Sequence, residues 1–157
     1  MMGNARTKGQ ASLELLITLS FGLAVLLPVA TLAYIQVSSA NISLSGIESQ
    51  QAASKLSSAA TLVGSEGPPA KQYVEVTVPP GVTNIFVGNI IGGVGHEIIF
   101  EIVSATNTSD VGVYTPVNVS GNLGGLASQG TYLVNVSAQS ICPSNPSQEC
   151  VYMEPVV

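Results

Sequence analysis

The residues whose types and spacing could do chemistry are concentrated near the N-terminus, in Lys8-Gly9-Gln10-Ala11-Ser12-Leu13-Glu14. Arg6 and Lys8 make a short basic segment, and the Gly9–Gln10 bond after it is a candidate cleavage site. An ordinary secretory signal is cut after its apolar region, which is then discarded. A cut after Gly9 would keep the apolar region and free an amine at Gln10, four residues from the carboxylate of Glu14. A lone carboxylate in an apolar helix costs several kcal/mol, on the order of 3, unless it is paired. The new ammonium is the obvious partner, one helical turn away within a subunit or on the next, staggered subunit. Such a pair rewards one axial register over others. Position alone also allows Glu14 to be the interfacial boundary residue of a membrane span.

The remaining reactive side chains offer less. Cys142 and Cys150 are separated by Pro143-Ser144-Asn145-Pro146-Ser147-Gln148-Glu149, and in an exported chain this spacing predicts a disulfide that pinches a loop. Two thiols and the distant His96 do not make a zinc site, and no metal or cofactor is expected. His96 reads as a turn or strand-edge histidine rather than a general base. The run Gly88 to Gly95 (GNIIGGVG) lacks the Gly-Lys-Ser/Thr ending of a phosphate loop and reads as a β-turn. No Gly-x-Ser-x-Gly element is present, so no enzyme is expected.

The elements that must position these residues follow from composition and pattern. Only 8% of the 157 residues are charged, about a third of the usual share. Without residues 1–9 the basic side chains reduce to Lys55 and Lys71 against nine acidic ones, which excludes nucleic acid as a partner. Leu15–Ile35 carries no charge, and about 20 such residues at about 1.5 Å each match a bilayer core. Arg6 and Lys8 place the N-terminus in the cytoplasm by the positive-inside tendency. Pro28 lies inside the run and predicts a kink rather than a stop.

The helical pattern continues through Ile42, Ser49, Leu56 and Val63, interleaved with Ser39, Gly46, Ala53 and Ala60. Half of this stripe is small, which predicts close approach between neighbouring helices. Asn41, Glu48 and Lys55 form a polar stripe expected to face outward. One helix is therefore expected from about Gln10 to about Leu62, against the alternative of an anchor followed by a separate linker helix. Gly64-Ser65-Glu66-Gly67-Pro68-Pro69 breaks it. Strands are expected at Tyr73–Val78, Asn84–Val87, Glu97–Val103, Gly112–Val119 and Thr131–Ala138, with a short edge strand at Cys150–Met153. The fold class is α+β: a long hydrophobic N-terminal helix and an antiparallel β-sandwich or barrel head. The expected organisation is a cleaved leader (1–9), a transmembrane and filament-core helix (10–63), a linker (64–70) and a β-rich head (71–157).

Lys8-Gly9-Gln10-Ala11-Ser12-Leu13-Glu14 resembles the class III signal of archaeal type IV pilins, in which a Gly-Gln junction is followed by Ser and then Glu at the fifth mature position. The resemblance covers these seven residues and the apolar run after them. It implies that a prepilin peptidase cuts between Gly9 and Gln10, and that Glu14 is the motif's carboxylate. It further implies that the helix leaves the membrane for the core of a helical homopolymer, with an assembly ATPase and a membrane platform protein as partners. The location implied is an extracellular filament whose precursor sits in the cell membrane, with adhesion as its role. The head itself resembles no particular pilin.

Four Asn-x-Ser sequons begin at Asn41, Asn107, Asn118 and Asn135. Asn107 lies in a loop-like stretch and is the most accessible; Asn118 and Asn135 require outward-facing side chains, and Asn41 falls on the helix. Two competing functions remain. The chain could be a membrane-anchored or secreted β-sandwich binding module, cut late after Ser38-Ser39-Ala40, or a minor pilin or archaellin-like subunit.

Overall fold

The computed structural model describes residues 5–103 and 108–156, with the side chains of residues 5–11 outside that description. The described residues form one long helix, six strands and a single 3-10 turn. Helix α1 spans Ala5–Glu66. It is followed by β1 (Lys71–Val78), β2 (Val82–Gly88), β3 (Gly95–Val103), β4 (Thr108–Gly121), the turn η1 (Gly124–Leu126), β5 (Gly130–Gln139) and β6 (Cys150–Pro155). The chain divides into two compact units, Met1–Asn41 and Ile42–Val157, described separately here.

The α+β class with a long N-terminal helix is as the sequence predicts, but the head is neither a sandwich nor a closed barrel. Its strands form one six-stranded sheet in the order β1-β5-β6-β4-β3-β2. The sheet is mixed, because β6 runs antiparallel to β5 and parallel to β4 through Val119–Val151 to Gly121–Met153. Nor is β6 the edge strand its shortness suggested. It pairs with β5 on one side and β4 on the other, so it lies in the middle of the sheet, and β1 and β2 form the edges.

A short connection shapes the sheet. Strands β1 and β2 are separated only by Pro79-Pro80-Gly81, so Val78 and Val82 lie no more than about 14 Å apart. Opposite edges of a flat six-stranded sheet are about 24 Å apart. The sheet must therefore curl until its two edges approach each other at that end. Gly81 makes the turn at φ 90, and its carbonyl accepts the Val103 N–H at 2.8 Å. Alternation does the rest. In β1, Val74, Val76 and Val78 are buried, while Tyr73, Glu75 and Thr77 face outward.

All six strands contribute to a single core, and residues of α1 complete it. Ala52, Ala53, Leu56, Ala59, Ala60 and Val63 share the cluster with Phe100, Ile98, Val134 and Met153. The helix thus takes the place of a second sheet. Ser49, Ala53, Leu56, Ala60 and Val63, expected to face another helix, are instead buried in the chain's own head. Glu48 and Lys55 are exposed, as the polar stripe required. Gly64 does not break the helix, which continues to Glu66. A Cβ at Gly64 would lie 2.9 Å from Val117 Cγ1 and 3.2 Å from Val151 Cγ2, so glycine there serves close packing rather than termination. Gly67, at φ 73, ends the helix and donates its N–H to the Val63 carbonyl at 3.1 Å.

β4 bends around Thr115 and Pro116. Its first part pairs with β3 as far as Glu97–Tyr114, and the register then shifts to Gly95–Val119. Three polar contacts hold the bend. Ser57 of α1 donates to the Tyr114 carbonyl at 3.2 Å, His96 Nδ1 donates to the Thr115 carbonyl at 3.1 Å, and Thr115 Oγ1 donates to the Val117 carbonyl at 3.1 Å. The His96 ring also stacks on Tyr114, with centroids 5.6 Å apart. The β5–β6 loop is closed by the Cys142–Cys150 disulfide, with Cα atoms 5.4 Å apart. Ser144 of that loop meets Ser120 of β4, Oγ to Oγ at 2.6 Å.

Because α1 is part of the head's core, Leu56→Ala is expected to lower head stability by about 2–5 kcal/mol. Leu62→Ala, at a position that is 52% exposed, should change it by less than about 0.5 kcal/mol. Denaturant unfolding of residues 42–157 measures both; equal effects would contradict the packing described.

Candidate assembly surface

Among its described residues the first unit has no core of its own. Leu13, Leu15, Leu16, Ile17, Leu19, Phe21, Leu23 and Val25 are each at least 50% exposed. The same holds for Leu26, Leu27, Val29, Leu32, Tyr34, Ile35 and Val37. These positions lie all round the helix, not on one stripe, so no rotation hides them from water. The helix is long and apolar enough to cross a membrane.

Two of its hydroxyls are bonded within the helix. Thr18 Oγ1 donates to the Glu14 carbonyl and Thr31 Oγ1 to the Leu27 carbonyl, each at 2.8 Å. Hydroxyls bonded within the helix can enter an apolar medium at little cost. Pro28 lies inside α1, which continues across it. Proline has no N–H, so the Ala24 carbonyl lacks its usual partner. Gly9, Gln10 and Glu14 all lie on α1. Gln10 and Glu14 are four residues apart, on the order of 6 Å along the axis. The Glu14 side chain is exposed.

The other residues singled out in the sequence are not brought to this surface. Cys142 and Cys150 form the expected disulfide on the head. Among the described residues, no three His, Cys, Asp or Glu side chains gather to hold a metal. The Gly88–Gly95 run is a hairpin connection between β2 and β3, as a β-turn reading requires.

Geometry separates the sequons. Asn107 lies outside the described residues. Asn41 is exposed. Asn118 is half-buried and donates through Nδ2 to the Glu149 carbonyl at 3.5 Å, while the hydroxyl residue of its sequon, Ser120, is 2% exposed. Asn135 donates to Glu154 Oε1 at 3.0 Å, and its Ser137 is 1% exposed.

Three features were missed in the sequence. One is the His96–Thr115 clasp, which depends on the bend in β4. Another is a groove between α1 and the free edge of β1, with cavities of about 410 and 300 Å³ that share Lys55 and Glu75. The Ala70 carbonyl accepts from Ala138 in β5, so by alternation the carbonyls of Tyr73, Glu75 and Thr77 point to the free edge. Lys55 Nζ donates to the Glu75 carbonyl at 2.6 Å and blunts that edge. The helical spacing of Lys55 gave its exposure, but nothing local in sequence gave its partner. The third feature is the exposed pair Ile90 and Ile91 at the β2–β3 hairpin tip.

A folded head should accept no glycan at Asn118 or Asn135, because the amides are engaged and the sequon hydroxyls buried. Glycopeptide mass spectrometry of the mature protein is expected to find both unmodified; full occupancy at either would contradict the burial. No family model, curated protein or solved structure matches the chain.

Proposed function

We propose that this chain is a structural subunit of an extracellular archaeal type IV pilus, polymerising through its N-terminal helix and having no catalytic role. The observation that carries this reading is the first unit itself: an uncharged apolar helix surface from Leu15 to Ile35, exposed on every side. It needs an apolar environment, which a bilayer supplies before assembly and other copies of the helix supply afterwards. Burying most of it from water is worth tens of kcal/mol gross, at about 25 cal/mol per Å². A membrane competes for the same surface, so the net gain on polymerisation is far smaller. Extraction therefore needs an assembly ATPase and a membrane platform protein.

Processing supplies the electrostatic part. A prepilin peptidase cutting between Gly9 and Gln10 removes Arg6 and Lys8 and creates an ammonium at Gln10. Glu14 carries the only acidic side chain between that amine and Glu48. Glu14 of one copy then pairs with the Gln10 amine of its neighbour and selects one stagger. Pro28 serves assembly by letting the helix bend where copies crowd. The curled sheet of the second unit forms the outer layer and carries adhesion.

Two measurements test this. Mature surface material is expected to begin at Gln10; a start at Asn41 would mean a secreted binding module with no helix to polymerise. Glu14→Ala is expected to leave cleavage and membrane insertion intact and to cut filament yield at least tenfold, judged by micrographs of sheared cells. Normal filament yield would sink the pairing argument.

A further inference from the structure

Helix α1 is sustained by different things along its length, and over residues 38–46 by none of them. From Leu15 to Ile35 the helix is uncharged and apolar, and an apolar medium protects its hydrogen bonds from water. From Ser49 onward one face is held by the head, where Ser49, Ala53, Leu56 and Ala60 are fully buried. Between these stretches Ser38 to Leu44 are all exposed, and Ser45 is the first buried position among the described residues of the helix. The division between the two units, after Asn41, falls inside this segment.

A helix in water that is not packed stands on the propensities of its residues. Here they are poor. Residues 38–46 include four serines, Asn41 and Gly46. Serine and asparagine side chains compete with the helix for its backbone groups. No charged side chain lies between Glu14 and Glu48, so no ion pair one turn apart compensates. Gly46 is the sharpest sign. A Cβ there would meet nothing within 4 Å and its φ is not positive, so neither packing nor backbone geometry in this chain requires glycine. Gly64 of the same helix is the contrast, because a Cβ there would press on Val117 and Val151. We propose that residues 38–46 are a joint, a segment in which α1 opens and closes so that the head turns while the apolar segment stays fixed. The joint works whether that segment is held in a bilayer or in a bundle, so it does not rest on the filament reading.

The test uses the full chain in detergent micelles, spin-labelled at pairs of positions and read by double electron–electron resonance. Tyr34→Cys with Glu48→Cys spans the joint, and Glu48→Cys with Leu62→Cys lies beyond it. All three positions are exposed, and the native cysteines are paired with each other and take no label. The two pairs have the same sequence separation, which in an unbroken helix puts each about 21 Å apart along the axis. The second pair is expected to give one narrow distance, and the pair across the joint a distribution at least about twice as broad. Equally narrow distances overturn the proposal. Equally broad ones overturn it too, because the motion would then not be local to the joint. Ser38→Ala, Asn41→Ala and Gly46→Ala, made together, raise helix propensity and are expected to narrow the distribution across the joint to that of the second pair. A distribution that stays broad overturns the cause assigned to the opening.

Discussion

The structure depends on one constraint: α1 carries an apolar surface that its own chain covers in only one of the two units. From Ile42 onward the helix face made of Ser49, Ala53, Leu56, Ala60 and Val63 is buried in the head. Before Asn41 no other element of its own unit packs on it, and every large apolar side chain from Leu13 to Val37 is at least half exposed. Water cannot be the working medium of that segment. Its lack of charge between Leu15 and Ile35 lets it accept a bilayer or a packed bundle of like helices equally well. Glu14 is the exception: it lies just before the run, and its side chain is exposed.

The same helix explains the head. A single sheet has one apolar face to cover, and here α1 and the short turn η1, through Leu123 and Leu126, take part in covering it. The small residues Ala52, Ala53, Ala59 and Ala60 let the helix come close to the strands, and Gly64 lets its last turn lie against Val117 and Val151. The three-residue link from β1 to β2 forces the sheet to curl. The free edge that results is blunted by Lys55, which holds the Glu75 carbonyl. One of only three lysines in the chain is thus spent on guarding a strand edge.

Local patterns were legible in the sequence and long-range pairings were not. The helix, the position of every strand and the Cys142–Cys150 bridge follow from spacing, turn residues and redox logic. The part of the small-residue stripe from Ser49 to Val63 packs closely as the spacing predicts, but against the chain's own sheet rather than another helix, while Ile35, Ser39 and Ile42 of the same stripe are exposed. A stripe of alanine and serine fits a sheet as well as a helix, and only topology decides between them. The placing of β6 between β5 and β4 was hidden for the same reason. Its shortness suggested an edge, whereas it pairs with β5 on one side and β4 on the other, and no local pattern shows the second pairing. Of the candidate site, Gly9, Gln10 and Glu14 stand out in the sequence by their spacing, and their part in cleavage and assembly is the proposal. The Ile90–Ile91 tip does not stand out, because a glycine-rich turn does not announce which of its side chains project.

The central claim is that copies of α1 bury one another in a filament. Helical reconstruction by electron cryomicroscopy of filaments sheared from cells tests it most directly. The account predicts a core of packed α1 segments from Gln10 onward, with the β-sheet units outside. Filaments whose core lacks residues 10–41, or a core built from the β units, would contradict it.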